Sequence, residues 1–295
     1  MTTILIGVDH TERSEDAIAF GSQWAEAAGA TVIVASAFPY RDLPSRASNP
    51  ALRQALADEA RSTASEMRAK LTGVPEERST IQIVANPSPA HALHDLAEAE
   101  HADLMVVGST HTGRAGRVLP GSTGERLIHG APCAVAVVPK DYHGRPLRRV
   151  GVAYNATDEA TGALAAGTEL AAALGAELEL IGVVAPDSYD TPTLIGAPST
   201  ATLREDVERH VQESLDAATP AGAANVRLSG APADELARYS ERLDLLVTGS
   251  RGYGPLRSVL VGGVSGRVIR SAQCPVVVVP RGVKALSGAV AANAA

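Results

Sequence analysis

The chain repeats itself, and this repeat limits its fold more than any other feature. When the sequence is shifted by 141 positions (249 − 108 = 141), the segment 103–139 lies over the segment 244–280 without a gap. Identical residues meet throughout: Asp103/Asp244, Gly108/Gly249, Gly121/Gly262, Arg126/Arg267, Cys133/Cys274 and Pro139/Pro280. Self-similarity of this kind indicates duplication, so the chain carries two copies of one folding unit.

The two copies also begin alike, which places the domain boundaries. The stretch from Ile4 and the stretch from Val150 each run from an apolar segment through a polar turn and an Ala-rich helical segment to a glycine. A length of 295 residues suits two domains. We predict a first domain over 1–140, a linker over 141–147, a second domain over 148–282 and a flexible tail over 283–295.

Within each copy, short apolar runs alternate with helical patterns. In the first copy we predict strands at 4–8, 31–38, 81–85, 104–107 and 135–138, with helices at 14–28, 51–71, 89–100 and 123–129. Continuous apolar strands alternating with helices are typical of a parallel sheet covered on both faces. The sequence therefore predicts an α/β fold: two tandem doubly wound domains, each with a five-stranded parallel sheet. Ligands bind such sheets beyond the carboxyl ends of the strands.

Composition excludes several classes of function. The net charge of −7 argues against binding to a nucleic acid backbone. No apolar run is long enough to span a membrane, and the first ten residues lack the basic region of a signal peptide. Cys133 and Cys274 precede equivalent strands and are interpreted as core residues. A disulfide bridge stays open as the alternative if the two fifth strands meet. We expect a cytoplasmic protein.

A glycine-containing loop follows the fourth strand of each copy. The second copy has Gly249 and Gly252, nine further residues, then Gly262 and Gly263; the first has Gly108 and His111, nine residues, then Gly121 and Ser122. Glycines at positive φ let backbone N–H groups approach an anion, and a helix N-terminus favours phosphate. Ordinary turn glycines are the alternative. The loop is not a Walker A motif, because it lacks the G-K-[ST] element.

A carboxylate follows the first strand. Asp9 stands there in the first copy and Asn155 in the second. At the carboxyl end of a strand, either side chain can accept a hydrogen bond from a ribose or a base, although only Asp carries charge. The alternative is that Asp9 is a turn or helix-capping residue.

These residues resemble the universal stress protein family over nearly the whole chain, twice. The family motif is G-x2-G-x9-G-[ST] together with the Asp after the first strand. The resemblance implies an adenine nucleotide alpha hydrolase-like fold, ATP at the loop, and halves paired through their fifth strands with pseudo-two-fold symmetry. It also implies that backbone near Ala37 and Val183 holds the adenine. The departures are His111 for a glycine, Gly263 for Ser or Thr with Ser265 nearby, and Asn155 for Asp.

The predicted nucleotide-binding residues come from both copies. They are Asp9, Ala37, Gly108, His111, Gly121, Ser122, Thr123, Asn155, Val183, Gly249, Gly252, Gly262, Gly263 and Ser265. No catalytic residue and no metal ligand is predicted. ATP is the expected ligand, with Mg²⁺ accompanying its phosphates and ADP or AMP as alternatives.

The sequence thus favours a non-enzymatic ATP-binding regulator of stress responses. Two alternatives stay open: a slow ATPase or phosphotransferase, and a nucleotide-free interaction scaffold suggested by the three departures from the motif. The expected partners are ATP and an unidentified protein, with neither nucleic acid nor membrane. A homodimer of the tandem chain is a further expectation.

Overall fold

The first half of the chain alternates strands and helices as predicted. The computed structural model describes residues 2–40, 49–109, 124, 126–127, 130–185, 200–250 and 263–283. The elements of the first half are β1 (Thr3–Val8), α1 (Arg13–Ala28), β2 (Thr31–Phe38), α2 (Pro50–Ala69), β3 (Ser79–Ala85), α3 (Pro89–Ala99), β4 (Leu104–Gly108) and β5 (Ala134–Val138). Helical residues Gly124, Arg126 and Leu127 lie between β4 and β5.

The second half repeats this order. Its elements are β6 (Arg149–Ala153), α4 (Asp158–Leu174), β7 (Glu177–Val184), α5 (Thr200–Ala218), β8 (Ala224–Ser229), α6 (Pro232–Tyr239), β9 (Leu245–Ser250), α7 (Val264–Ser271) and β10 (Val276–Pro280). Both long first helices end at a glycine in the left-handed conformation, Gly29 at φ 61° and Gly175 at φ 62°. This cap explains why the Ala-rich stretches stop where they do.

The ten strands form one continuous sheet. Their order is β3-β2-β1-β4-β5-β10-β9-β6-β7-β8, so each half contributes five neighbouring strands. Pairing is parallel within each half and antiparallel between β5 and β10. The predicted pair of doubly wound five-stranded sheets is confirmed, and the fifth strands join them.

The register between β5 and β10 relates the halves by a pseudo-two-fold axis. Ala136 pairs with Val277, its own counterpart at the offset of 141 (277 − 136 = 141). Every residue of both strands is buried. Such strands read as unbroken apolar runs because helices cover both faces of the sheet. Aliphatic side chains dominate the two large core clusters on its faces.

The two cysteines are free and buried. Cys133 directly precedes β5 and Cys274 stands two residues before β10, and because these strands run antiparallel, the two thiols lie at opposite ends of the pair. The disulfide left open from the sequence is therefore wrong. Burial raises the pKa of both Cys133 and Cys274 to about 12, which leaves the thiols protonated and unreactive at neutral pH.

The polar segment between the halves is packed against α1. The carboxylate of Asp16 accepts hydrogen bonds from the backbone N–H groups of Asp141 (3.0 Å) and His143 (3.1 Å). These donors hold two non-glycine residues at positive φ, 62° and 51°. Gln23 donates to the carbonyl of Gly144 at 2.6 Å. The composition of this segment predicts a linker, yet its backbone is fixed to the first domain.

Tyr142 anchors the same segment in the core. It is 1% exposed, and its ring meets Phe20 edge to face at 5.9 Å between centroids. The hydroxyl lies 2.8 Å from the carbonyl oxygen of Arg145 and 3.2 Å from Oε1 of Gln23. A buried tyrosine requires such partners for its hydroxyl.

Replacing Tyr142 by Phe should destabilise the protein by about 0.5–1.5 kcal/mol, because the hydrogen bond that its hydroxyl donates to a part-buried acceptor is lost. Chemical unfolding in urea measures the loss. Tyr154→Phe, at a half-buried position in the second half, is the control and should change stability little. Equal losses in both variants would contradict a specific anchoring role.

Candidate functional site

The first half has a cleft at the point where its chain connections diverge. β1 pairs with β2 on one side and with β4 on the other, so the carboxyl ends of these strands frame a crevice. A cavity of about 90 Å³ lies there. Its lining consists of Gly7, Val8, Asp9, Arg13, Ser14, Ala35, Ala37, Pro89, Leu93, Val107, Gly108 and Gly124. Three predicted site residues, Asp9, Ala37 and Gly108, are thus brought together.

Asp9 is held by the turn that leads into α1. Its carboxylate accepts hydrogen bonds from the backbone N–H of Thr11 at 3.0 Å and from the Thr11 hydroxyl. It also accepts from Nε of Arg13 at 2.9 Å and from Nη2 of the same guanidinium. The Ser14 hydroxyl accepts from the Asp9 backbone N–H at 2.8 Å. Asp9 is therefore both a turn residue and a wall of the cleft.

These donors decide the charge of Asp9. Burial opposes ionisation, but the hydrogen bonds from Arg13 and Thr11, together with the Arg13 charge, hold the pKa of Asp9 below its usual range. Asp9 is consequently an anion at neutral pH, although it lies in a partly buried cleft.

Gly108 and Gly249 are required for a reason that differs from the prediction. The sequence predicts positive φ at these glycines, yet Gly108 is the last residue of β4 and Gly249 the last but one of β9, and neither has positive φ. A Cβ on Gly108 would lie 2.3 Å from the carbonyl oxygen of Arg13, and one on Gly249 would lie 2.4 Å from that of Glu159. Each glycine lets the first turn of a helix approach the strand end.

The remaining loop residues divide into two groups. His111, Gly121, Ser122, Thr123, Gly252 and Gly262 lie outside the described residues. Gly263 is the N-cap of α7 with φ −66°, and Ser265 lies in the first turn of that helix. A helix does begin at the second glycine element of the second copy, as predicted.

The first strand of the second half ends differently. Asn155 occupies the place of Asp9 because Val150 pairs with Leu245 as Ile4 pairs with Leu104. Its Oδ1 accepts a hydrogen bond from the Thr157 hydroxyl at 2.8 Å. The same hydroxyl caps α4 by accepting from the N–H of Ala160 at 3.3 Å. Asn155 thus belongs to a helix-capping turn and carries no charge.

The cleft floor also differs between the halves. Gly7 pairs with Ala35 across β1 and β2, and Ala153 pairs with Ile181 across β6 and β7. Two residues further along, Ala37 corresponds to Val183. Ile181 is 1% exposed and belongs to the core cluster that also contains Ala35. At each of these positions the second half has the larger side chain, but two residues before Ala153 the order is reversed: Ile181 packs over Gly151, which corresponds to Leu5.

A larger concavity of about 810 Å³ lies at the other end of the sheet. Gln23, Glu26, Leu174 and Gly175 contribute to its lining, as does the first residue of β7, Glu177. Both α1 and α4 end there, and neither has a basic residue in its last turn. Arg148 and Arg149 also line it, so its charge is mixed, but it lies at the opposite edge of the sheet from the strand ends where open α/β sheets bind their ligands.

The comparison with family models decides the family. The model of the universal stress protein family matches residues 1–139 and again residues 146–280. The chain belongs to the universal stress protein family. Among the described residues, no helix combines the length and apolar character needed to cross a membrane.

Individual relatives agree with this assignment. A universal stress protein of Mycobacterium tuberculosis strain H37Rv is 28% identical over 213 residues, which are 66% of this chain and 70% of the relative. One from Thermus aquaticus is 32% identical over 139 residues, 46% of this chain and 97% of the relative. A crystal structure of a universal stress protein from Archaeoglobus fulgidus covers 95% of this chain and 98% of its own, with a TM-score of 0.69 and 20% identity. At that identity the likeness shows the fold alone.

Sequence reasoning missed two features of this universal stress protein. Arg13 was not singled out, although its position four residues after Asp9 was a usable signal. The contrast between Ala35 and Ile181 was also missed. Alignment of the two first strands at their own offset of 146 (155 − 9 = 146) would have shown it.

Adding a methyl group at either strand-end glycine should destabilise the fold. Gly108→Ala and Gly249→Ala each force a Cβ against a backbone carbonyl, and overpacking of this kind costs about 1–3 kcal/mol. Gly162→Ala is the matched control. It lies within α4 with open space around its Cβ position, and it should stabilise by about 0.5–1 kcal/mol. Urea unfolding measures all three, and a neutral Gly108→Ala would contradict the close approach.

Asp9 should make stability depend on acidity. Because its folded-state pKa lies below the unfolded value of about 3.9, its contribution is present above that value and is lost as the pH falls through the folded pKa. The stability difference between wild type and Asp9→Asn should thus be largest near neutral pH and should shrink below about pH 4. Asp58→Asn, at an exposed position on α2, is the control. A difference independent of pH would contradict the ionised Asp9.

Proposed function

We propose that this universal stress protein is a non-enzymatic regulator that binds ATP in the cleft of its first half. The observation that carries the proposal is the cleft itself. An ionised acceptor, Asp9, stands at the switch point of the sheet beside a floor of small residues. Open α/β sheets bind their ligands at this place.

The chemistry of the lining fits an adenine nucleotide. Ala35 and Ala37 leave space above β2, and Leu93 and Val107 supply apolar walls against which a base can pack. Asp9 is an acceptor for ribose or base donors. Gly124 places a helical backbone at the rim, directly after the predicted phosphate cradle at 121–123. We assign the triphosphate to that cradle.

The second half is expected to bind nucleotide more weakly. Ile181 and Val183 fill the positions where the first half has alanines, and Asn155 replaces the charged acceptor. Nucleotide binding by the residues predicted in the second half is untested. The differences between the two halves favour a stoichiometry of one nucleotide per chain.

The proposed role is regulation, with nucleotide occupancy setting the choice of a protein partner in the cytoplasm. Within the ranges that the structure describes, no group of three or more His, Cys, Asp and Glu side chains is arranged to hold a metal ion. Any Mg²⁺ would therefore be coordinated mainly by phosphate oxygens and water. Whether the tandem chain forms a homodimer stays a prediction.

Mass spectrometry of small molecules released from the purified protein tests the proposal, together with calorimetric titration of the nucleotide-free protein. We expect ATP at a stoichiometry of about one per chain, the ratio expected for one pre-formed cleft. ADP, AMP and cAMP belong in the same titration series. A protein that releases no nucleotide and shows no heat with ATP would overturn the proposal.

A cleft-filling variant locates the site. Ala35→Ile combined with Ala37→Val installs the residues that the second half carries at the same strand positions. Ile181 packs over Gly151, which corresponds to Leu5 in the first half, so the fold of the variant is checked first. ATP affinity should fall at least about tenfold, the loss expected when binding energy of about 1.4 kcal/mol is removed. Circular dichroism and thermal unfolding check the fold. The control is Ala57→Val, at a half-buried position on α2 that does not line the cleft, which should leave ATP affinity unchanged. Unchanged affinity in the filled variant would place the nucleotide elsewhere.

A further inference from the structure

We propose that Arg13 selects phosphate-bearing ligands by exchanging partners: it pairs with Asp9 when the cleft is empty and with nucleotide phosphate when it is filled. The proposal rests on nucleotide binding in the first half. It assigns to Arg13 a role as a specificity-determining residue, which the family motif does not include.

The first step is that Asp9 is saturated. A carboxylate offers about four lone-pair positions. Two donors from Thr11, two from the Arg13 guanidinium and the Ser14 hydroxyl, which lies 3.1 Å from Oδ1, fill them. A ribose or base donor can therefore bind Asp9 only if one of these donors leaves.

The second step is that Arg13 is the donor able to leave. The Thr11 donors lie two residues from Asp9 and belong to the turn itself, and the Ser14 hydroxyl is held at 2.8 Å by both the backbone N–H and the carbonyl of Asp9. The guanidinium instead stands at the end of a long side chain that lines the cleft and is 27% exposed. Arg13 is the first residue of α1, and rotation about its side-chain bonds moves the guanidinium without moving the helix backbone. Its planar fork matches two phosphate oxygens as well as it matches a carboxylate.

The third step is the resulting selectivity. A neutral nucleoside must displace Arg13 from Asp9 and gives the guanidinium no anion in return. A nucleotide also displaces Arg13 from Asp9, but its phosphate then replaces the carboxylate as the anionic partner of the guanidinium. The cleft therefore discriminates against adenosine and in favour of ATP, beyond the affinity expected from the predicted phosphate cradle alone.

The second half provides an internal comparison. Glu159 occupies the place of Arg13, since its carbonyl contacts Gly249 as the carbonyl of Arg13 contacts Gly108. Oε1 of Glu159 lies 3.7 Å from the Arg281 guanidinium. A carboxylate at this position repels phosphate, so the exchange that Arg13 performs has no counterpart there.

Titration of ATP and adenosine into the nucleotide-free full chain tests the exchange. Arg13→Gln should weaken ATP by about 10–100-fold, the range expected for a lost charge-assisted hydrogen bond. Adenosine should bind equally well or more tightly, because Asp9 is then released. The ATP affinity of Arg13→Lys should lie between those of wild type and Arg13→Gln, since lysine keeps the positive charge but lacks the planar pair of N–H donors. Lys140→Gln is the matched control: it removes a positive charge beside the same helix start, where Lys140 lies 3.8 Å from Glu12.

The outcomes separate this inference from the proposed function. Wild type that binds no ATP overturns the function, and the inference with it. If wild type binds ATP, and Arg13→Gln has the same ratio of ATP affinity to adenosine affinity as wild type, only the inference is overturned. If thermal unfolding shows that Arg13→Gln does not fold, the ratio of ATP affinity to adenosine affinity in Arg13→Lys is compared with wild type instead, and an unchanged ratio overturns the inference. An equal loss in Lys140→Gln would show a general charge effect and would also overturn it.

Discussion

The antiparallel pairing of β5 with β10 is the contact on which the rest of the architecture depends. Both strands are buried along their whole length and consist almost entirely of Val and Ala. In an isolated half, either strand would be an exposed apolar edge, which is prone to aggregation. Duplication supplies the missing partner within the chain. Because Ala136 meets its own counterpart Val277, the same register serves both halves, and their clefts are related by the pseudo-two-fold axis.

The fold was largely predictable because its signals are local. Continuous apolar runs mark the strands, and Gly29 ends α1 where the sequence places the stop. The segment 141–147 was not predictable, since its Gly and Pro indicate a loose connection. Its order comes from side chains more than 100 positions away in sequence, Asp16 and Gln23 on α1. The thiols show the same limit, because strand direction decides whether Cys133 can reach Cys274.

The candidate site was predictable only in part. Asp9 was visible as a carboxylate that follows a buried strand. Arg13 was hidden because an arginine in the first turn of a helix is ordinarily a solvated surface residue. Whether Arg13 reaches the cleft depends on the direction in which that turn faces. The close approach of Gly108 to the Arg13 carbonyl sets this direction. The glycine itself was recognised, but through the wrong physical reason.

The comparison of the halves separates what the fold requires from what a ligand would require. Gly108 and Gly249 are both present because both helices must approach a strand end by the same distance. The fold places no such demand at positions 13 and 159, where opposite charges occur, or at 35 and 181, where volumes differ. The volume difference at 35 and 181 is partly offset in the core, since Ile181 packs over Gly151 where the first half has Leu5, whereas the charge difference at 13 and 159 has no such packing explanation. The charge at position 13 is thus the difference between the halves that bears most directly on the proposed nucleotide site, while β10 serves the fold of both halves by pairing with β5.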